Sequence, residues 1–168
     1  MAMELEIERK FLVIGKPEKP SDAVCKIRQG YVARENGNVV RIRDKNGIYI
    51  LNIKTPDQVS GGRHELEYEI SKEEGELLFA SIAHEPICKT REVYKIGDLK
   101  WEVDIFDGEN KGLIIVEVEL ESLNQTLDIP DWIGPEVTAH EAYYNENLVN
   151  MPFNKWNMTY SELIKSFS

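Results

Sequence analysis

Between residue 3 and about residue 122, apolar and polar positions alternate with a period of two, the pattern of half-buried strands and not of helices. Eight segments carry it, at 3–13, 25–35, 38–45, 48–55, 63–70, 87–96, 99–107 and 113–122. Asn36-Gly37, Asn46-Gly47 and Gly97-Asp98 separate neighbouring segments by two residues that tolerate the positive φ of tight antiparallel turns. The connection at 56–62 is longer. One helix interrupts the strands near 72–83, where Ser71 and Glu74 form a capping-box pattern ahead of Leu77, Leu78 and Ile82. After residue 122 the style changes. A Pro-, Trp- and Gly-containing loop at 129–135 leads to Thr138 and Glu141, a second capping-box pattern that predicts a helix to about Val149. A last short helix is predicted over 160–167. No repeat, low-complexity stretch or linker divides the chain, so one domain over 1–168 is expected, mainly β with added helices (α+β).

Alternation also sorts the charges. Glu4, Glu6, Glu8 and Lys10 share one face of the first strand, Arg41 and Arg43 one face of the third, and Arg63, Glu65, Glu67 and Glu69 one face of the fifth. Glu102 and Asp104 share a face of the seventh strand, and Glu117, Glu119 and Glu121 a face of the eighth. A two-residue turn at Asn46-Gly47 pairs Arg41 with Asn52 and Arg43 with Ile50, which brings Lys54 to the arginine face. The turn at Gly97-Asp98 pairs Arg91 with Asp104 and puts Lys89 on the same side. Any antiparallel sheet with one wet face alternates in this way. Segregation by sign alters the reading: carboxylates dominate strands one, five, seven and eight, and cations strands three, four and six. Like charges side by side are costly unless a ligand of opposite charge compensates them. A pocket holding both sets suits a metal-bound phosphate chain. Eight antiparallel strands can close into a β-barrel whose interior holds side chains or one small ligand. The charges would then line the lumen, and the helices near 72–83, 138–149 and 160–167 would cover the apolar outside.

Composition narrows the partners. With 20 Lys+Arg against 30 Asp+Glu the net charge is −10, which argues against nucleic acid or an anionic membrane as partner. The two cysteines, Cys25 and Cys88, are too few for a disulfide scaffold and lack metal-site spacing. The acidic start is unlike a signal peptide, and no apolar run approaches the roughly 18 residues of a membrane span. A cytoplasmic protein is expected.

The ordered motifs resemble a known family. Glu6-Ile7-Glu8-Arg9-Lys10 matches the ExExK signature of the CYTH domain, the triphosphate tunnel metalloenzymes. It is followed by Gln29-Gly30-Tyr31, Val40-Arg41-Ile42-Arg43, Ile53-Lys54, Glu65-Leu66-Glu67, Lys89-Thr90-Arg91, Trp101-Glu102-Val103-Asp104, Val116-Glu117-Val118-Glu119 and Tyr144-Asn145. The set is similar to the short bacterial branch over nearly the whole chain. The resemblance implies a tunnel-shaped eight-stranded barrel that hydrolyses a triphosphate, inorganic tripolyphosphate above all, with Mg²⁺ or Mn²⁺. It implies Glu6, Glu8, Asp104, Glu117 and Glu119 as metal ligands. Lys10, Arg41, Arg43, Lys54, Lys89 and Arg91 are implied as phosphate-binding cations, and Glu65 and Glu67 as a second acidic pair that positions them or takes a second metal. For the catalytic step it points to Tyr31, Lys89 and Lys10. The general base is open between Glu117 or Glu119, acting through a metal-held water, and Tyr31 with its pKa lowered by Lys89. Tyr31 faces the lumen only if its register allows: a two-residue turn at Asn36-Gly37 pairs it with Ile42 on the wrong side, whereas a three-residue loop with Gly37 in a bulge pairs it with Arg41.

The expected partner is a small-molecule triphosphate, with a homodimer left open. Two alternatives stand beside the triphosphatase. One is an adenylate cyclase making cyclic AMP from ATP, for which no distinct base-recognition motif is visible. The other is a non-catalytic polyphosphate- or nucleotide-binding module with the same lining.

Overall fold

The computed structural model describes the backbone of residues 3–168 and the side chains of 5–168. The face assigned to the Glu4 side chain lies outside the described residues. Strands β1 (Met3–Val13), β2 (Ala23–Glu35), β3 (Asn38–Lys45), β4 (Ile48–Pro56), β5 (Arg63–Ile70), β6 (Ile87–Ile96), β7 (Leu99–Phe106) and β8 (Ile114–Leu120) lie where the alternation predicts them. They pair antiparallel in the order β5-β4-β3-β2-β6-β7-β8-β1. β1 pairs with β8 over Ile7–Leu12 and with β5 over Met3–Glu6, and this double pairing closes the eight-stranded barrel. The turn arithmetic holds: Arg41 faces Asn52, Arg43 faces Ile50 and Arg91 faces Asp104. Asn36 and Asn46 adopt φ of 51° and 52°, and Gly37 and Gly47 follow at 79° and 86°, the mirror-image turn that matches strand twist.

Three parts of the fold differ from expectation. The 129–135 loop contains a ninth strand, β9 (Ile133–Glu136), which pairs with β1 at Phe11 and Val13. It is too short to show a period, and Gly134 allows its close approach, because a Cβ there would lie 2.6 Å from Ile14 and 3.1 Å from the Leu12 carbonyl oxygen. The 138–149 helix is broken into a 3-10 turn at Glu141–Tyr143 and a single α turn, α2 (Asn145–Leu148). Thr138 caps nothing. Its hydroxyl accepts the Lys10 N–H at 3.0 Å and donates to Glu136 at 2.8 Å, which ties the segment to β1. A capping box forms instead at Thr159 and Glu162, ahead of α3 (Tyr160–Lys165).

The third difference is where the cover sits. Only α1 (Lys72–Ser81), with the capping box at Ser71 and Glu74 as expected, lies on the outer face, where Phe79 packs on Ile42 and Tyr49. The outer residues of β1, β7 and β8, among them Phe11, Trp101, Val103 and Val118, are covered by Trp132 and Ile133. The C-terminal segment caps one end of the barrel. There the inward face turns apolar, and Leu12, Ile87, Phe106 and Ile115 pack with Val137, Leu148, Phe153 and Leu163. The lumen is thus charged along its middle and plugged with hydrocarbon at one end.

Candidate active site

A cavity of about 690 Å³ runs inside the barrel. Its wall includes Glu6, Glu8, Lys10, Tyr31, Arg41, Arg43, Lys54, Glu65, Glu67, Lys89, Arg91, Glu117 and Glu119, so the strands bring all but one of the sequence-predicted residues together. Asp104 is the exception. It is fully buried behind the wall, where Arg91 grips it through Nε at 2.7 Å and Nη2 at 2.8 Å and Lys89 at 2.6 Å. Both its oxygens are engaged by cations. Burial pushes its pKa up, but Arg91 and Lys89 outweigh that and hold the carboxyl below its usual range. In this arrangement Asp104 is paired with two cations and stands apart from the carboxylates that line the cavity.

The other lysines are also paired. Lys54 lies 2.8 and 2.7 Å from the two oxygens of Glu6. Lys10 joins Glu8 at 2.8 Å to Glu117 at 2.6 Å. Burial opposes the Lys10 charge, but these two carboxylates prevail and raise its pKa. Glu117 is likewise buried, yet Lys10, Arg91 and Lys89 hold its pKa well below the ordinary carboxylate value.

The arginines of β3 are different. Arg43 donates from Nε and Nη2 to the neutral Gln29 Oε1 at 3.1 and 2.8 Å. Burial, then Arg41 and Arg91, push its pKa down to about 10. Arg41 has a carboxylate oxygen of Glu65 only at 3.9 Å, and its buried Nε has no hydrogen-bond partner. Two guanidinium groups thus sit inside the barrel with no carboxylate in close contact.

Tyr31 reaches the lumen by a route neither sequence alternative contained. The turn at Asn36-Gly37 has two residues, and a bulge between Tyr31 and Ala33 shifts the register, so Tyr31 faces Arg41. Lys89 does not lower its pKa. Burial raises the phenol's pKa, with Arg41, Arg43 and Gln29 opposing. Between Tyr31 and Lys89 lies a neutral relay: Gln29 Nε2 donates to Tyr31 Oη at 3.0 Å and to Asn145 Oδ1 at 3.1 Å, and Lys89 donates to the same Asn145 oxygen at 2.9 Å. Burial lowers the Lys89 pKa to about 7, with Asp104 opposing and Arg91 assisting.

Gln29, Asn52 and Asn145 were not among the expected site residues, nor were Arg63 and Glu146, which form a bridge at the cavity edge with Glu6. Gln29 and Asn52 share the inward parity of their strands, so alternation could have found them. Asn145 lies outside any strand and carries no such signal.

The acidic wall suits a hard cation. Glu8 faces Glu119 and Glu102 faces Glu117 in register, an arrangement that disfavours the sheet unless something positive lies between. Glu119 has its pKa raised by burial and by Glu6, Glu102 and Glu65, with Lys100 the cation that opposes them. Among the described residues no three acidic, His or Cys side chains already stand together as a metal cage, because lysines intervene. The donors present are carboxylate oxygens, the ligand type of Mg²⁺ and Mn²⁺.

The CYTH domain family model matches residues 4–149. The chain belongs to the CYTH family. An inorganic triphosphatase of Acetivibrio thermocellus is 38% identical over 156 residues, spanning 92% of this chain and 99% of the relative. One from Nitrosomonas europaea is 35% identical over 147 residues, spanning 85% and 95%. The crystal structure of the inorganic triphosphatase NE1496 superposes with a TM-score of 0.63 at 31% identity, covering 86% of this CYTH chain and 93% of that one. The CYTH match ends at residue 149, so Phe153 and Leu163, which complete the plug, lie beyond it.

Proposed function

We propose that this CYTH protein hydrolyses a linear triphosphate, inorganic tripolyphosphate in preference to a nucleotide, with Mg²⁺ or Mn²⁺. The observation that carries this reading is the pair Arg41 and Arg43: two guanidinium groups inside the barrel, the first buried and the second half-buried, without a close carboxylate, in a protein of net charge −10. Such groups need an anion, and guanidinium forks match phosphate oxygens. The curated relatives named inorganic triphosphatase support the same class.

The metal would be held by Glu6, Glu8, Glu117 and Glu119, after Lys10 and Lys54 turn from carboxylates to phosphate oxygens. When bound, the cation supplies charge to the phosphate chain and makes water more acidic. The protein's own part is to clamp and align. Arg41 and Arg43 hold the chain from one wall, and Lys10, Lys54 and Arg91 complete the cradle. Glu65 and Glu67 position the neighbouring groups: both accept from Asn52 Nδ2, and Glu65 lies 3.9 Å from Arg41. Lys89 is suited to take the proton of the attacking water, because its pKa of about 7 leaves much of it neutral near pH 7. Tyr31, held protonated by burial, is suited to donate a hydrogen bond and not to act as base.

The test is phosphate release from tripolyphosphate and from ATP with Mg²⁺ or Mn²⁺. Tripolyphosphate should have the higher kcat/KM, because binding energy comes from the phosphate chain, and chelation should abolish turnover. Undiminished turnover after exhaustive chelation, or cyclic AMP as the main product from ATP, would overturn the reading.

A further inference from the structure

Among the described residues, two buried side-chain atoms have no hydrogen-bond partner, Arg41 Nε and Asn52 Oδ1. One is a donor and the other an acceptor. They belong to residues directly opposite each other in the β3–β4 pairing, where side chains on the same face lie within reach. Both residues line the cavity. Asn52 is fully buried, and its Nδ2 is already committed to Glu65 and Glu67. Its carbonyl oxygen is thus the free end of a fixed amide.

The other side of β3 contains the completed version of this arrangement. Gln29, also fully buried and opposite Arg43 in the β2–β3 pairing, accepts from Arg43 Nε and Nη2. A neutral amide fixes the guanidinium plane without cancelling its charge, whereas a carboxylate would do both. Arg41 differs in that its Nη2 leans toward Glu65, which draws the plane away from Asn52.

We propose that Asn52 is the positioning residue for Arg41: when a phosphate chain engages the two Nη groups, Arg41 leaves Glu65 and its Nε–H donates to Asn52 Oδ1. The proposal rests on the reading of Arg41 as a phosphate clamp. Gln29 and Asn52 then flank β3 as a matched pair, each holding one arginine by its Nε so that both forks face the substrate.

A double-mutant cycle separates the possibilities, with kcat and KM for tripolyphosphate as the readout. Arg41→Lys keeps the charge and removes the Nε donor. Asn52→Ala should cost about tenfold in kcat/KM, chiefly through KM, when Arg41 is present, a loss of the size expected for a hydrogen bond to a charged group. In the Arg41→Lys background the same change should cost less than about twofold if the coupling is complete. Equal losses in the two backgrounds would mean that Asn52 acts only through Glu65 and Glu67, and no loss in either would leave it without a role in binding; either result overturns the proposal. Full kcat/KM in Arg41→Ala would instead overturn the clamp reading itself. Should Asn52→Ala not fold, a crystal structure of the unaltered protein with tripolyphosphate decides. A direct Arg41 Nε to Asn52 Oδ1 hydrogen bond supports the proposal, and separation or a water between them overturns it.

Discussion

Around most of the lumen, every buried cation holds a carboxylate: Lys89 and Arg91 hold Asp104, Lys10 holds Glu8 and Glu117, and Lys54 holds Glu6. On β3, Arg43 is held by the Gln29 amide instead, and Arg41 has a carboxylate oxygen no nearer than 3.9 Å. The same residue types thus do two jobs in one tunnel. A paired cation is fixed, and its charge is largely cancelled before any ligand arrives. An amide-held arginine such as Arg43 keeps its full charge and has a fixed plane, at the cost of a destabilised cation, visible in its lowered pKa. Fold stability should therefore be concentrated in the pairs, and anion affinity in the β3 arginines.

Asp104→Asn puts the largest strain on this contrast. Two buried cations would lose their shared counter-charge, and breaking a buried ionic group from one side costs about 3–5 kcal/mol. Urea or thermal unfolding should show that loss; a change within the range of an ordinary surface substitution would mean that the triad does not support the fold. Arg43→Met should do the reverse. Removing an uncompensated cation relieves its repulsion with Arg41 and Arg91, while Gln29 Oε1 loses its donors, so stability should change by no more than about 1 kcal/mol. Turnover of tripolyphosphate should nonetheless fall by about 1.5–3 kcal/mol in kcat/KM, the range for a hydrogen bond to a charged group. A variant that unfolds easily but binds normally would erase the distinction between the walls.

How far this contrast could be read in advance differs by level. Strand positions, the hairpin registers and the gathering of the charges follow from period two and turn length, because strands place alternate residues on one side wherever no bulge intervenes. What alternation left out needed knowledge of a partner in space. Asp104 shares the parity of the cavity carboxylates, and only its neighbours show that Arg91 and Lys89 engage both its oxygens. Tyr31 depended on a bulge inside β2 that no Gly or Asn marks. Thr138 and Glu141 have capping-box spacing, yet β1 offered Thr138 the Lys10 N–H and the helix did not form. Asn145 enters the site from the C-terminal segment, and its short polar side chain carries no periodic signal.

The finest test of the comparison concerns Lys89, which is paired and yet has its pKa lowered from 10.5 to about 7. Burial is the largest cause, and Arg91 competes for the same carboxylate by holding Asp104 through two nitrogens. Between about pH 7 and 10.5 the unfolded chain then binds more protons at this lysine than the folded one, so stability rises as pH climbs through that window. Below about pH 7 both states carry the proton and the slope from this group vanishes. At full effect the rise is about 1.4 kcal/mol per pH unit. Cys88 works against it at the alkaline end, because burial raises the thiol pKa and makes the folded state keep its proton longer. Lys89→Met isolates the lysine, since Arg91 still pairs with Asp104 in that variant. Urea unfolding at intervals from about pH 7 to 9 should show the unaltered protein gaining stability and the variant gaining markedly less. Parallel curves would mean that Asp104 keeps Lys89 charged throughout, and Lys89 would then belong with Lys10 among the fixed pairs instead of standing ready to take a proton.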